Sequence, residues 1–160
     1  MSVDILKAID FLGLPATAPD LDDFLQESGA TRRLSQKDRP IATLGLSNEA
    51  VQFQFSDSYE ESYGPPRAKG FLYLEDITVE SSKYAEGVGT FEGVLPFGLR
   101  LDMTDQDIIS TLGEPDYKGE MMGAYFVSYH HYQPELSVNC RLDKKTREVT
   151  FIRFSRPEKD

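Results

Sequence analysis

Residues 95–115 read LPFGLRLDMTDQDIISTLGEP, and this stretch decides how the chain divides. Thr104 has the character of a helix N-cap, because its hydroxyl can accept from an amide of the first turn. Asp105 and Asp107 put negative charge where the helix dipole favours it, and Asp107 stands where a capping box carries Glu. Met103 before the cap and Ile108 at the fourth helical position have the spacing of a hydrophobic staple. Ile108, Ile109 and Leu112 form one apolar stripe, Gly113 can adopt the left-handed conformation, and Pro115 forbids continuation. The pattern predicts a capped helix of about three turns.

Residues 14–29 carry a fainter copy. Asp20 is the predicted cap there, Asp22 and Asp23 fill the first turn, Phe24 and Leu25 fall where Ile108 and Ile109 do, and Gly29 falls where Gly113 does. The two segments align without a gap at an offset of 84 residues, Asp20 on Thr104, and each follows a Leu-Pro pair, Leu14-Pro15 and Leu95-Pro96. This spacing predicts a single domain of 160 residues built from pseudo-repeat halves at about 1–88 and 89–157.

Around the two helices the periodicity changes. Ile5, Leu6, Ile9 and Leu12 have helical spacing and end at Gly13, which predicts a helical hairpin with the second helix, Leu21 to Ser28. Arg32 to Pro40 has no period and reads as an exposed loop. From Ile41 the pattern is that of strands: Val51, Phe53 and Phe55 alternate with Gln52 and Gln54, and Phe71 to Val79 continues with a change of phase at Glu75 and Asp76 that predicts a bulge or bend. Asp57 to Arg67 is read as a protruding connection, Ser81 to Gly93 as a linker and Tyr117 to Gly123 as a loop. Strands are predicted at Ala124 to Tyr132, Leu136 to Leu142 and Val149 to Phe154, the last two joined by a charged turn, Asp143 to Glu148. The fold class is therefore α+β: two similar halves, each a short helical hairpin or helix followed by antiparallel strands, with the helices on one face of the sheet.

Composition narrows the function. A hydrophobic fraction of 39%, with ten Phe and eight Tyr, describes a folded chain, and no apolar run approaches the about 18 residues that span a bilayer. A net charge of −10 opposes binding to nucleic acid, which needs clustered Lys and Arg, and suits a basic partner. The single cysteine, Cys140, sits in the alternating run Leu136, Val138, Cys140, Leu142 and reads as a buried strand residue. His130 and His131 are adjacent, so a regular strand points them to opposite faces and denies them a shared metal. No metal-ligand spacing, phosphate loop or nucleophile elbow is present; Gly87-Val88-Gly89 lacks the flanking strand and helix. No cofactor, metal or catalytic residue is expected.

Leu99 to Asp116 carries a Leu-Arg-Leu-Asp-Met-Thr lead, a helix with Asp105, Ile108 and Ile109, and a Leu112-Gly113-Glu114-Pro115 end. It resembles the repeat shared by β-lactamase inhibitor protein and the small outer-membrane lipoprotein of the barrel assembly machinery. In that repeat a "GMT" helix start and an "LGxP" helix end precede a small antiparallel sheet; here Asp102 stands in place of the Gly. The resemblance covers residues 95–154 well and 14–80 poorly. It implies a binding protein rather than an enzyme, with tandem copies presenting a concave sheet to a protein partner. The lipoprotein form begins with a signal and a lipidated cysteine, and MSVDILKAIDFLGLP has neither, so the expected address is the cytoplasm, away from a membrane. Small acidic proteins of this build are also similar, in size, charge and fold type, to immunity proteins of bacterial toxin systems.

The interface is sought where acids and tyrosines interleave: Asp57, Tyr59, Glu60, Glu61 and Tyr63, extended by Glu75, Asp76, Glu80, Tyr84 and Glu86. Tyrosines supply contact area and a hydroxyl, and acids steer a basic partner. Tyr125, Tyr129 and Tyr132 form a second aromatic group. The expectation is a non-enzymatic cytoplasmic immunity protein or inhibitor that covers the active site of a basic toxin, such as a nuclease, with an acidic surface. The alternative is an assembly or scaffold module of an envelope or secretion system.

Overall fold

Alternation builds the sheet. The computed structural model describes residues 3–160; Met1 and Ser2, which begin the stretch read above as leaderless, lie outside them. Seven strands, β1 (Ile41–Leu46), β2 (Val51–Ser56), β3 (Tyr73–Glu80), β4 (Tyr117–Met121), β5 (Ala124–Gln133), β6 (Leu136–Leu142) and β7 (Val149–Ser155), form one antiparallel sheet ordered β1-β2-β3-β7-β6-β5-β4. Four helices accompany it: α1 (Ile5–Ile9), α2 (Pro19–Glu27), α3 (Tyr59–Tyr63) and α4 (Asp105–Leu112). The fold is α+β. Among the described residues no helix is long and apolar enough to cross a membrane.

The register gives the sheet two unlike faces. Phe53, Ile77, Phe154, Val138 and Tyr129 are cross-strand neighbours from β2 to β5, and all are buried. One residue along each strand, the neighbours are Gln52, Thr78, Arg153, Asn139, Ser128 and Tyr117, which runs the polar row out to β4. Successive side chains point to opposite faces, so one face is the core and the other is polar. Burying a residue such as Phe53 or Phe154 contributes about 2–3 kcal/mol. Phe24 of α2 packs 6.2 Å from Phe53, and the Tyr129 hydroxyl donates to the Gly113 carbonyl at the end of α4, at 2.8 Å.

Helix α4 starts and stops as its sequence predicts. Thr104 Oγ1 accepts from the Asp107 amide at 3.4 Å and Asp107 Oδ2 accepts from the Thr104 amide at 3.0 Å, a reciprocal capping box. That amide, followed by the Thr104 hydroxyl, holds the Asp107 carboxyl below its usual range. Gly113 ends the helix at φ 97°, after eight residues, so it makes about two turns instead of three.

Four local readings change. Helix α2 begins at Pro19 with Ala18 as its cap, so Asp20 lies in the first turn; proline, with φ preset and no amide hydrogen, is at home in the first helical position. The stretch from Asp57 to Arg67 contains α3, because Tyr59 is drawn into the core; it is 1% exposed. Residues 117–121 form β4 rather than a loop, turning into β5 through Met122 and Gly123, both at positive φ (50° and 80°) as a type I′ hairpin requires. Strand β3 starts at Tyr73 rather than Phe71, since Leu72 sits at φ 53°. The predicted bulge is present: Gln54 pairs with Asp76 and Phe55 with Leu74, which leaves Glu75 without a partner on β2.

Candidate functional site

The polar row of the sheet opens into a groove of about 310 Å³ across β3, β7, β6 and β5, with Tyr63 at one side and Tyr117 at the other. Its charged lining is Asp76, Asp116, Glu158 and Arg153, three carboxylates against one guanidinium, and Ser128, Ser137, Asn139 and Ser155 supply neutral donors and acceptors. Each strand contributes its outward-pointing residues, so the groove follows from the alternation that builds the core behind it.

Asp76 lies deepest, at 8% exposure. Burial pushes its carboxyl up to about 6; Arg153, whose Nε lies 3.8 Å away, pulls against that rise, and Glu75 adds to it. Thr78 links the two: its hydroxyl accepts from Arg153 Nε at 3.0 Å and donates to Asp76 Oδ1 at 3.4 Å. Burial also raises the Tyr63 hydroxyl well above its usual range, and Glu75, Asp76 and Glu158 reinforce the effect, so this tyrosine stays a neutral donor. Glu75 itself accepts from Gln54 Nε2 at 3.0 Å. At the far end Asp116 Oδ2 accepts from the His130 amide at 2.6 Å, and Ser128 donates to Asn139 Oδ1 at 2.6 Å.

Of the ten residues read as an interface, the structure brings Tyr63 and Asp76 into this groove, with Glu75 near both but outside its lining. Tyr59 is removed from any surface role, packed 5.0 Å from Tyr63 and 6.2 Å from Tyr73 beneath α3. Asp57 is engaged structurally, pairing with Arg39 at 2.6 Å and accepting from the Leu72 amide at 2.9 Å. Glu60 and Glu61 are exposed on α3, the helix that carries Tyr63. Glu80 lies at the opposite end of β3, paired in register with Phe151. Tyr84 bonds Glu148 at 2.7 Å and Thr146 at 2.9 Å, fastening the linker to the β6–β7 turn, while Glu86 is exposed on that linker.

The second aromatic group divides. Tyr129 is core, with its hydroxyl pushed up to about 12 by burial; Tyr125 lies under the Arg147 guanidinium at 3.6 Å, and Tyr132 packs 4.9 Å from Phe97. His130 and His131 do not part to opposite faces: their rings meet edge-on at 4.4 Å, because the β5–β6 pairing is irregular between Tyr129 and Gln133. Among the described residues no three His, Cys, Asp or Glu side chains form a metal-binding group.

Asp116, Tyr117, His130, Arg153 and Glu158 were not read as site residues. A signal existed for Arg153, in the alternation of β7, whereas Asp116, Tyr117 and Glu158 come from segments with no period of their own. A second hollow of about 380 Å³ lies beside α2, but both arginines of its wall are already engaged, Arg33 with Asp22 at 3.0 Å and Arg32 with Asp38 at 2.9 Å. The open-face groove is therefore the stronger candidate. Comparison with known proteins matches no family model, no curated protein and no solved structure.

Proposed function

We propose that this chain is a non-enzymatic binding protein of the cytoplasm that neutralises a basic protein, in the manner of an immunity protein or inhibitor, by laying an acidic surface over it. The observation that carries this reading is the open-face groove, which Asp76, Asp116 and Glu158 line together with Arg153, with Tyr63 and Tyr117 at the rims. Carboxylates beside tyrosines fit the Lys and Arg side chains of a basic surface, such as the active site of a nuclease toxin. The chain's net charge of −10 speeds encounter with such a partner. Glu60 and Glu61 on α3 enlarge the acidic field.

The same proposal covers the architecture. Two meanders, β1-β2-β3 and β4-β5-β6-β7, meet at β3 and β7, the order expected of two repeat halves placed side by side. In this reading α2 and α4 support the apolar face from behind and leave the polar face to the partner.

Co-purification of the tagged full chain from its native host tests the proposal. A protein of basic isoelectric point, retained at low salt and released as salt rises, is the expected result. Retention of an acidic or neutral protein overturns it, and an envelope or secretion component as the partner would favour the assembly alternative.

A further inference from the structure

The sheet has two edges, β1 and β4, and they are treated differently. Beside β1 runs the segment around Ala30 to Arg32, and the Arg32 guanidinium reaches the Thr43 carbonyl at 3.5 Å. Among the described residues no segment other than β5 runs beside β4, whose own Tyr117 hydroxyl donates to the Glu120 carbonyl at 3.4 Å, and the strand and its turn concentrate exposed apolar side chains: Tyr117 at 44%, Met121 at 46% and, in the turn, Met122 at 82%. It contains no proline. A bare edge of this kind is a template for another strand.

The sequence of β4, YKGEM, says which strand fits. Met121 and Ala124 flank the two-residue turn and exchange both of their backbone bonds; bonded positions then alternate, so Gly119 and Tyr117 face β5 while the amides and carbonyls of Lys118 and Glu120 point outward. Laid antiparallel against its own copy with Gly119 opposite Gly119, the strand places Lys118 opposite Glu120 of the second copy at both ends of the pairing. The amides and carbonyls of these two residues point outward, the Glu120 carbonyl accepting from the Tyr117 hydroxyl at 3.4 Å until a second strand displaces it, and Tyr117 then meets Met121 on each side. Sliding the register by one pair sets Lys118 against Lys118, or Glu120 against Glu120, so charge selects a single alignment. We propose that β4 is the contact surface for a second copy of this chain, joining two sheets edge to edge with their polar faces continuous. The contact is short, so association is weak and concentration-dependent.

Sedimentation velocity of the full chain over a concentration series tests this independently of any partner. The wild type is expected to rise from its 18.1 kDa chain mass toward twice that value. K118E gives the edge two acids and E120K gives it two bases, so each variant alone is expected to remain at one chain mass. An equimolar mixture of the two is expected to associate. Both changes are at exposed positions, and circular dichroism checks that each variant is folded. A wild type that stays at one chain mass throughout overturns the proposal, as does association of the single variants to the same extent as the wild type, or a mixture that stays apart.

Discussion

Asp76 and Arg153 face each other across the β3–β7 seam, with Oδ1 and Nε 3.8 Å apart and the Thr78 hydroxyl bridging them. The separation is too long for a direct hydrogen bond, so Arg153 compensates only part of what burial costs the carboxylate. The carboxyl therefore titrates near 6 in the folded chain, against about 3.9 when unfolded.

That inequality fixes a pH dependence. Between about pH 4 and pH 6 the folded chain holds a proton at Asp76 that the unfolded chain has lost, so this group makes stability fall as pH rises through that window and leaves it lower above. The cost at neutral pH is up to about 3 kcal/mol. Asp76→Asn removes it. Urea unfolding near pH 7 is expected to show the variant more stable than the wild type, by about 1–3 kcal/mol, with the gap closing near pH 4. A gap that does not change with pH contradicts the placement of this carboxyl.

The capping box of α4 makes a second prediction. Thr104→Ala removes the oxygen that accepts from the Asp107 amide and should lower stability by about 1 kcal/mol in urea unfolding, while Thr104→Ser, which keeps the oxygen, recovers most of it. Equal stability of both variants and wild type would show that the box contributes nothing.

Cys140 makes a third. Its side chain is fully buried in β6 and its thiol is pushed up to about 12, so the thiolate is scarce at neutral pH and reagents cannot reach it. The native protein is expected to resist a thiol-reactive dye and to label at one site per chain in denaturant. Rapid labelling of the folded chain would place this residue elsewhere.

Where the sequence repeats a regular signal, the structure follows it. Thr104, Asp107 and Gly113 carry the whole grammar of a helix in one stretch, and the strict alternation from Leu136 to Leu142 can only be a strand with one dry face. The misread segments are those in which tertiary contacts outweigh local pattern. Lys118, Gly119 and Glu120 lack β-branched or aromatic character, and they become strand because β5 offers them a ladder. Tyr59 looked like a surface aromatic among acids, yet packing against Tyr63 and Tyr73 buries it and winds the surrounding residues into α3. The site was legible only in part for the same reason. Glu75, Asp76 and Tyr63 drew notice through charge and aromaticity, whereas Asp116 and Glu158 reach the groove only because strand order brings β5 and the chain end to it.

The proposed function puts a basic partner on the polar face of the sheet. It is tested most directly by the association rate of the co-purified partner with wild type and with the double variant Asp116→Lys, Glu158→Lys, at low and at high salt. Both positions are exposed, and circular dichroism checks that the variant, which loses the bond from the His130 amide to Asp116, is folded. Association is expected to be at least about tenfold slower for the variant at low salt, with the difference shrinking as salt screens the charges. Equal rates for the two proteins at low salt would contradict it.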